Sequence, residues 1–237
     1  MRLVRINKFL HEKHNVTWLI DGLLPDVGMT LFYGLPGVGK STFAAQLCAA
    51  LHTGSDFLGR KVQKTSIMFV QADSLVLEWK AMLARICPDS DGFTVVEVDE
   101  RMLGNSKAIE WLAEQTEKYN PGYIVFDSLQ KLTAWTISTD SGASMAMNAI
   151  RLITGDRPSM LIHHPPHAEF RASGHQSLTA TPSNVWGLLK TKLKIDKGRL
   201  TPIKEILLSR DSNGLWCQKP IEDSIYDAIM DKPLWAQ

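Results

Sequence analysis

The stretch Gly34-Leu35-Pro36-Gly37-Val38-Gly39-Lys40-Ser41 fits the pattern GxxxxGK[ST] at every position. Its glycines let the backbone turn successive N–H groups inward around an anion with no Cβ in the way. Such a loop works only between a strand and a helix, and the flanks spell both. Met29-Thr30-Leu31-Phe32-Tyr33 is an apolar strand that runs into the loop. From Ser41 to His52, the residues Phe43, Leu47, Ala50 and Leu51 share one face at helical spacing, and Gly54 supplies a stop. That helix would aim its positive end at the bound anion. Gly34, Pro36, Gly37, Val38 and Gly39 are therefore expected to cradle the phosphates of a nucleoside triphosphate. Lys40 would reach the β- and γ-phosphates and Ser41 would ligate Mg²⁺, with Thr42 a further candidate in the first turn.

The rest of the chain alternates in the same way. Ile67-Met68-Phe69-Val70, Phe93 to Val98, Tyr123-Ile124-Val125-Phe126-Asp127 and Met160-Leu161-Ile162-His163-His164 read as strands. Leu75 to Ile86, halted by Pro88, and Ser106 to Tyr119 read as helices. Strands apolar on both faces, separated by helices, mean a parallel sheet covered on both sides. Beyond residue 183 the pattern changes. Val185 to Lys194, Ile203 to Ser209 and Leu215 to Gln218 are strand-like pieces joined by turns containing Gly198 and Asn213-Gly214, and they read as antiparallel. The expected architecture is α/β, a mainly parallel sheet with helices on both faces and an antiparallel C-terminal edge. One domain fills residues 15–221, between a lead-in at 1–14 and a tail at 222–237.

Composition narrows the classes. The 237 residues are 44% hydrophobic and 22% charged, enough to bury a substantial core. A formal net charge of +1 excludes a global basic field, so any nucleic-acid contact must be local or built by several subunits. The three cysteines form no CxxC pair, so neither a zinc site nor a disulfide framework is expected. No apolar run approaches the ~20 residues of a membrane span, and a cytoplasmic protein without membrane contact is expected.

Carboxylates supply the remaining chemistry. Asp127 ends an apolar strand, which puts it at the ligand edge of a parallel sheet, where it would orient a magnesium-bound water. The competing reading is a cap for the helix after Ser128. Asp73 also ends a strand and would position the attacking water, against a capping role for it and Ser74 at the next helix. Glu78 lies a turn or more into that helix and is less well placed.

These residues carry a family resemblance. Trp18-Leu19-Ile20-Asp21-Gly22-Leu23-Leu24-Pro25, the glycine loop, Leu51-His52-Thr53-Gly54 and Phe57-Leu58-Gly59 resemble the openings of RecA-like P-loop ATPases of the plasmid RepA-type hexameric helicase group. Val125-Phe126-Asp127-Ser128-Leu129 looks like that group's Walker B strand, and Leu161-Ile162-His163-His164 like its sensor strand. The resemblance implies a RecA-like core that assembles into a ring or filament, binds ATP with Mg²⁺ between neighbours, and touches single-stranded DNA with central loops. It implies that His164, or His163, senses the γ-phosphate. It also implies that Arg210, in Leu208-Ser209-Arg210-Asp211, reaches a neighbour's ATP. Two departures stand out. Asp73 replaces the usual Glu, and Gly174-His175-Gln176-Ser177 stands where the group commonly has an Arg-Gly pair; the overlapping loop Phe170-Arg171-Ala172-Ser173-Gly174-His175 mixes aromatic, basic and flexible residues, as suits a mobile DNA loop.

Plainer readings stand beside these. His163 could fill the core side of its strand, Arg210 could be a solvated strand-end charge, and Trp135 could pack against a neighbouring subunit rather than stack on bases. Lys190, Lys192 and Lys194 alternate as a basic stripe, which suits DNA or a solvated sheet edge. The expected function is an ATP-hydrolysing, DNA-dependent motor. The alternative is an ATP-switched assembly or loading regulator whose tail, carrying Ile225, Tyr226, Ile229 and Met230, docks on a partner. A small-molecule kinase is third, because nothing resembles a phosphoacceptor lid.

Overall fold

The computed structural model describes residues 5–11, 16–72, 76–87, 91–164 and 176–219. A short helix, α1 (Ile6–His11), precedes a two-stranded antiparallel sheet of β1 (Trp18–Ile20) and β2 (Leu24–Pro25). The core then runs β3 (Met29–Tyr33), α2 (Lys40–Thr53), β4 (Ile67–Gln71), α3 (Val76–Ile86), β5 (Phe93–Glu97), α4 (Ser106–Tyr119) and β6 (Tyr123–Asp127). It continues with α5 (Leu129–Leu132), α6 (Asp140–Thr154), β7 (Ser159–His163), α7 (Gln176–Ala180), β8 (Asn184–Leu188), β9 (Lys192–Gly198), β10 (Glu205–Arg210) and β11 (Trp216–Gln218). Nine strands form one sheet in the order β11-β10-β9-β8-β3-β7-β6-β4-β5. The six from β8 to β5 in that order are parallel, and β9, β10 and β11 complete the sheet in antiparallel fashion.

Neighbouring residues on each central strand enter opposite cores, as the pleat demands. Phe32, Phe69, Val125 and Ile162 pack with Phe43 and Leu47 of α2 and Trp79 of α3. Leu31, Met68, Val70, Ile124, Phe126 and Leu161 pack with Leu112 of α4, Leu129 of α5 and Ile150 of α6. The strands are apolar throughout because helices cover both faces.

Several expectations need correction. The run from Val185 to Lys194 is two strands, because the chain reverses at 189–191, where the Leu189 N–H donates to the Lys192 carbonyl at 2.9 Å. The first of them, β8, is parallel to β3, so the antiparallel edge begins at β9. Lys190 therefore lies outside the strand. Lys192 pairs with Glu205 at 2.9 Å and Lys194 with Asp196 at 2.7 Å, so the expected basic stripe is largely neutralised. Trp135 is half-buried against the α4–α6 core of its own subunit. The third strand ends at Glu97 rather than Val98 and is partly exposed, as suits the sheet edge.

Burial also sets thiol chemistry. Cys48 and Cys87 are buried and Cys217 is partly exposed. Burial, with Cys87 adding to it, pushes the Cys48 thiol well above its ordinary pKa, so little thiolate forms at neutral pH. Ellman's reagent should therefore titrate Cys217 in the native protein and Cys48 only after unfolding. Stoichiometric native labelling of Cys48, located by mass spectrometry, would contradict this packing.

Candidate functional site

The carboxyl ends of four parallel strands line up along one edge of the sheet. Tyr33 of β3 is opposite His163 of β7, and Asp127 of β6 is opposite Gln71 of β4. The glycine loop leaves β3 at Gly34 and enters α2 at Lys40. Gly37 and Gly39 have φ of 73° and 99°, values that disfavour any side chain. Gly39 caps α2 without a side-chain hydrogen bond, as a loop that uses backbone groups for anions requires. Lys40 is 3% exposed. Its Nζ donates to the Gly34 carbonyl at 2.7 Å and the Leu35 carbonyl at 3.0 Å, which holds the ammonium across the mouth of the loop. Ser41 and Thr42 occupy the first turn of α2.

A cavity of about 730 Å³ adjoins the loop. Gly34, Pro36, Val38, Leu188, Thr191 and Trp216 are among the residues that line it. Its volume is of the size that takes a small organic ligand.

Asp127 is fully buried at the end of β6. Beside it in register, Gln71 is 3% exposed, and its carboxamide makes no hydrogen bond among the described residues. Two oxygen donors, the Ser41 hydroxyl and the Asp127 carboxylate, suit Mg²⁺. This ion takes one or two protein oxygens and fills its other positions with water and substrate phosphates. No cluster of three or more His, Cys, Asp or Glu side chains able to hold a metal occurs among the described residues.

The histidines are organised by a residue that sequence reasoning overlooked. Gln130, in α5, donates from Nε2 to His163 Nδ1 at 2.7 Å and to the His164 carbonyl. Its Oε1 accepts the His164 N–H at 3.1 Å. The fixed polarity of the His164 backbone sets which end of the amide is nitrogen, so His163 Nδ1 is the acceptor and carries no proton. His163 is buried and His164 half-buried. Gln130 follows Asp127 by three residues, a spacing that could have drawn attention to it.

Arg210 lies against its own subunit's loop. Its Nη2 donates to the Val38 carbonyl at 3.0 Å and its Nη1 to the Gly214 carbonyl at 2.6 Å, while the guanidinium stacks 4.0 Å from the Trp216 ring centroid. Trp216 was not singled out from sequence; only the Asn213-Gly214 turn before it marked the region. Asp73, the loop 170–175 and the tail 222–237 lie outside the described residues.

The family model AAA_25, described as an AAA domain, matches residues 1–169. The chain belongs to this AAA domain family. No curated protein matches in sequence. Among solved structures, a KaiC-like protein from the hyperthermophilic archaeon Pyrococcus horikoshii OT3 superposes with a TM-score of 0.61 at 17% identity, covering 85% of this chain and 94% of that one. The flagellar accessory protein FlaH from Methanocaldococcus jannaschii superposes with a TM-score of 0.56 at 14% identity, covering 82% and 90%. At such identities the likeness establishes the fold, a RecA-like P-loop core. No helix among the described residues is long and apolar enough to cross a membrane.

Proposed function

We propose that the protein is an ATP-hydrolysing motor of the RepA-type helicase group, driven by ATP and Mg²⁺ and acting on single-stranded DNA as a ring or filament. The alignment of strand ends carries this reading: the glycine loop, His163 and Asp127 share one edge of the sheet. Gly34, Pro36, Gly37, Val38, Gly39 and Thr42 would surround the phosphates. Lys40 would neutralise their charge as it builds on transfer to water. Ser41 and Asp127 would hold Mg²⁺, which when bound supplies charge neutralisation at the phosphates. Asp73 would align the attacking water.

His164 stands where the sheet gives way to residues 165–175, and Gln130 ties it to the segment after Asp127. A nucleotide-dependent change near Asp127 thus has a short covalent and hydrogen-bonded route to His164. Measuring ATP turnover with and without single-stranded DNA, across a salt series, tests the motor reading. Stimulation that weakens with salt is expected; turnover indifferent to DNA at every salt concentration would reject it.

The pairing of Lys192 and Lys194 with acids favours a second reading, an ATP-switched assembly or loading regulator. In that case deleting residues from Glu222 onward removes partner recruitment and leaves ATP binding intact.

A further inference from the structure

We propose that Arg210 and Trp216 are positioning residues for the phosphate loop of their own subunit, and that they act by pinning its carbonyls outward. The inference rests on the reading of Gly34–Ser41 as the ATP phosphate site. In a planar trans peptide the C=O and the following N–H point in opposite directions. Arg210 Nη2 holds the Val38 carbonyl at 3.0 Å, so the Gly39 N–H faces the other way. Trp216 Nε1 donates to the Gly39 carbonyl at 3.3 Å and reinforces the bond from the Phe43 N–H at 3.0 Å, which together turn the Lys40 N–H the other way. These two amides belong to the part of the loop that must converge on an anion.

The support behind the two side chains is built, not incidental. The guanidinium is fixed from a second side by the Gly214 carbonyl at 2.6 Å and stacked over the Trp216 ring at 4.0 Å. Trp216 is buried, and α2 grips its backbone: the Trp216 N–H donates to Gln46 Oε1 at 2.9 Å and Gln46 Nε2 donates to the Trp216 carbonyl at 2.7 Å. The packing against Gly39 is close. A Cβ there would meet Arg210 Nη2 at 2.0 Å, so a side chain at position 39 would push the guanidinium off the loop, besides the strain of its φ of 99°. The hairpin of β10 and β11 is thus a brace behind the loop. A guanidinium engaged in this way serves the loop it touches, in contrast to one extended toward a neighbour.

Calorimetric titration of the full chain with MgADP tests this. Arg210→Ala should weaken binding about tenfold, the scale of one charge-assisted hydrogen bond. Trp216→Phe keeps a ring for the guanidinium and deletes only the indole N–H; about a fivefold loss is expected, as for one neutral hydrogen bond. In turnover assays both losses should appear in KM for ATP, with kcat little changed. A purely structural anchor would lower the melting temperature and leave Kd and KM where they are. Wild-type affinity in both variants overturns the inference while the ATP reading stands; a wild-type protein that binds no MgADP removes the reading and the inference together. A mixing experiment separates the subunits. If Arg210 acted across an interface, mixing Lys40→Ala with Arg210→Ala chains would restore the wild-type KM for ATP, since some sites would hold an intact loop and an intact arginine. No recovery is expected, and recovery overturns the inference.

Discussion

Lys40→Ala lowers ATP turnover by at least about a hundredfold, the effect of deleting a preorganised charge from a site of phosphoryl transfer. The effect is local. The ammonium is held at 3% exposure by the carbonyls of Gly34 and Leu35, 2.7 and 3.0 Å away, so its charge already stands at the loop before any phosphate arrives. Little reorganisation is then needed when negative charge develops there. Alanine removes the charge and takes the ammonium from the Gly34 carbonyl, while the Leu35 carbonyl keeps the Val38 N–H at 3.3 Å. Circular dichroism of the variant should remain that of the wild type, because the lysine holds the loop and not the core. A variant that keeps a tenth of wild-type turnover would mean that the phosphates are neutralised by other groups.

Phe43→Ala costs about 3–5 kcal/mol of folding stability, the range for emptying a large aromatic from a core. The ring sits at the junction of loop and sheet. Its centroid lies 5.2 Å from that of Phe32 on β3, 5.3 Å from Phe57, and 6.4 Å from Trp216 on β11. Its removal opens a void bordered by three elements that cannot all close in on it, since β3 is locked between β7 and β8. A domain of ordinary stability, about 5–15 kcal/mol, would lose a large share of it. Urea denaturation should show the midpoint falling with little change in slope. Phe43→Leu should recover most of the loss. Equal loss in both variants would point to a requirement for the ring itself and against a void.

The loop, the central strands and the sheet edge beside the loop were legible because each is specified locally. Met29–Tyr33 and Tyr123–Asp127 are short, apolar on both faces and closed by polar residues, and the glycine pattern explains itself through backbone geometry. The sheet's C-terminal side was harder to read. The turn between β8 and β9 passes through Leu189, Lys190 and Thr191, with neither glycine nor proline to mark it. Its strand direction depends on pairing with β3, more than a hundred residues earlier in the chain. By contrast, α6 was announced but passed over: Thr139 caps it by accepting the Gly142 N–H, and Ala143, Ala146, Met147, Ile150 and Ile153 keep helical spacing. Arg210 marks the limit of sequence reasoning. Nothing near it in sequence says that its partner is Val38, 172 positions away.

The Gln130 contact with His164 has a mechanical consequence. A hydroxyl or a water that bridges two groups can pivot and follow small displacements. A carboxamide engaged through both its oxygen and its nitrogen has a single fitting orientation, like a key cut on both edges. The end of β7 is thereby seated or unseated, with little in between. Any displacement after Asp127 that turned this amide would have to break both of its bonds to His164 together.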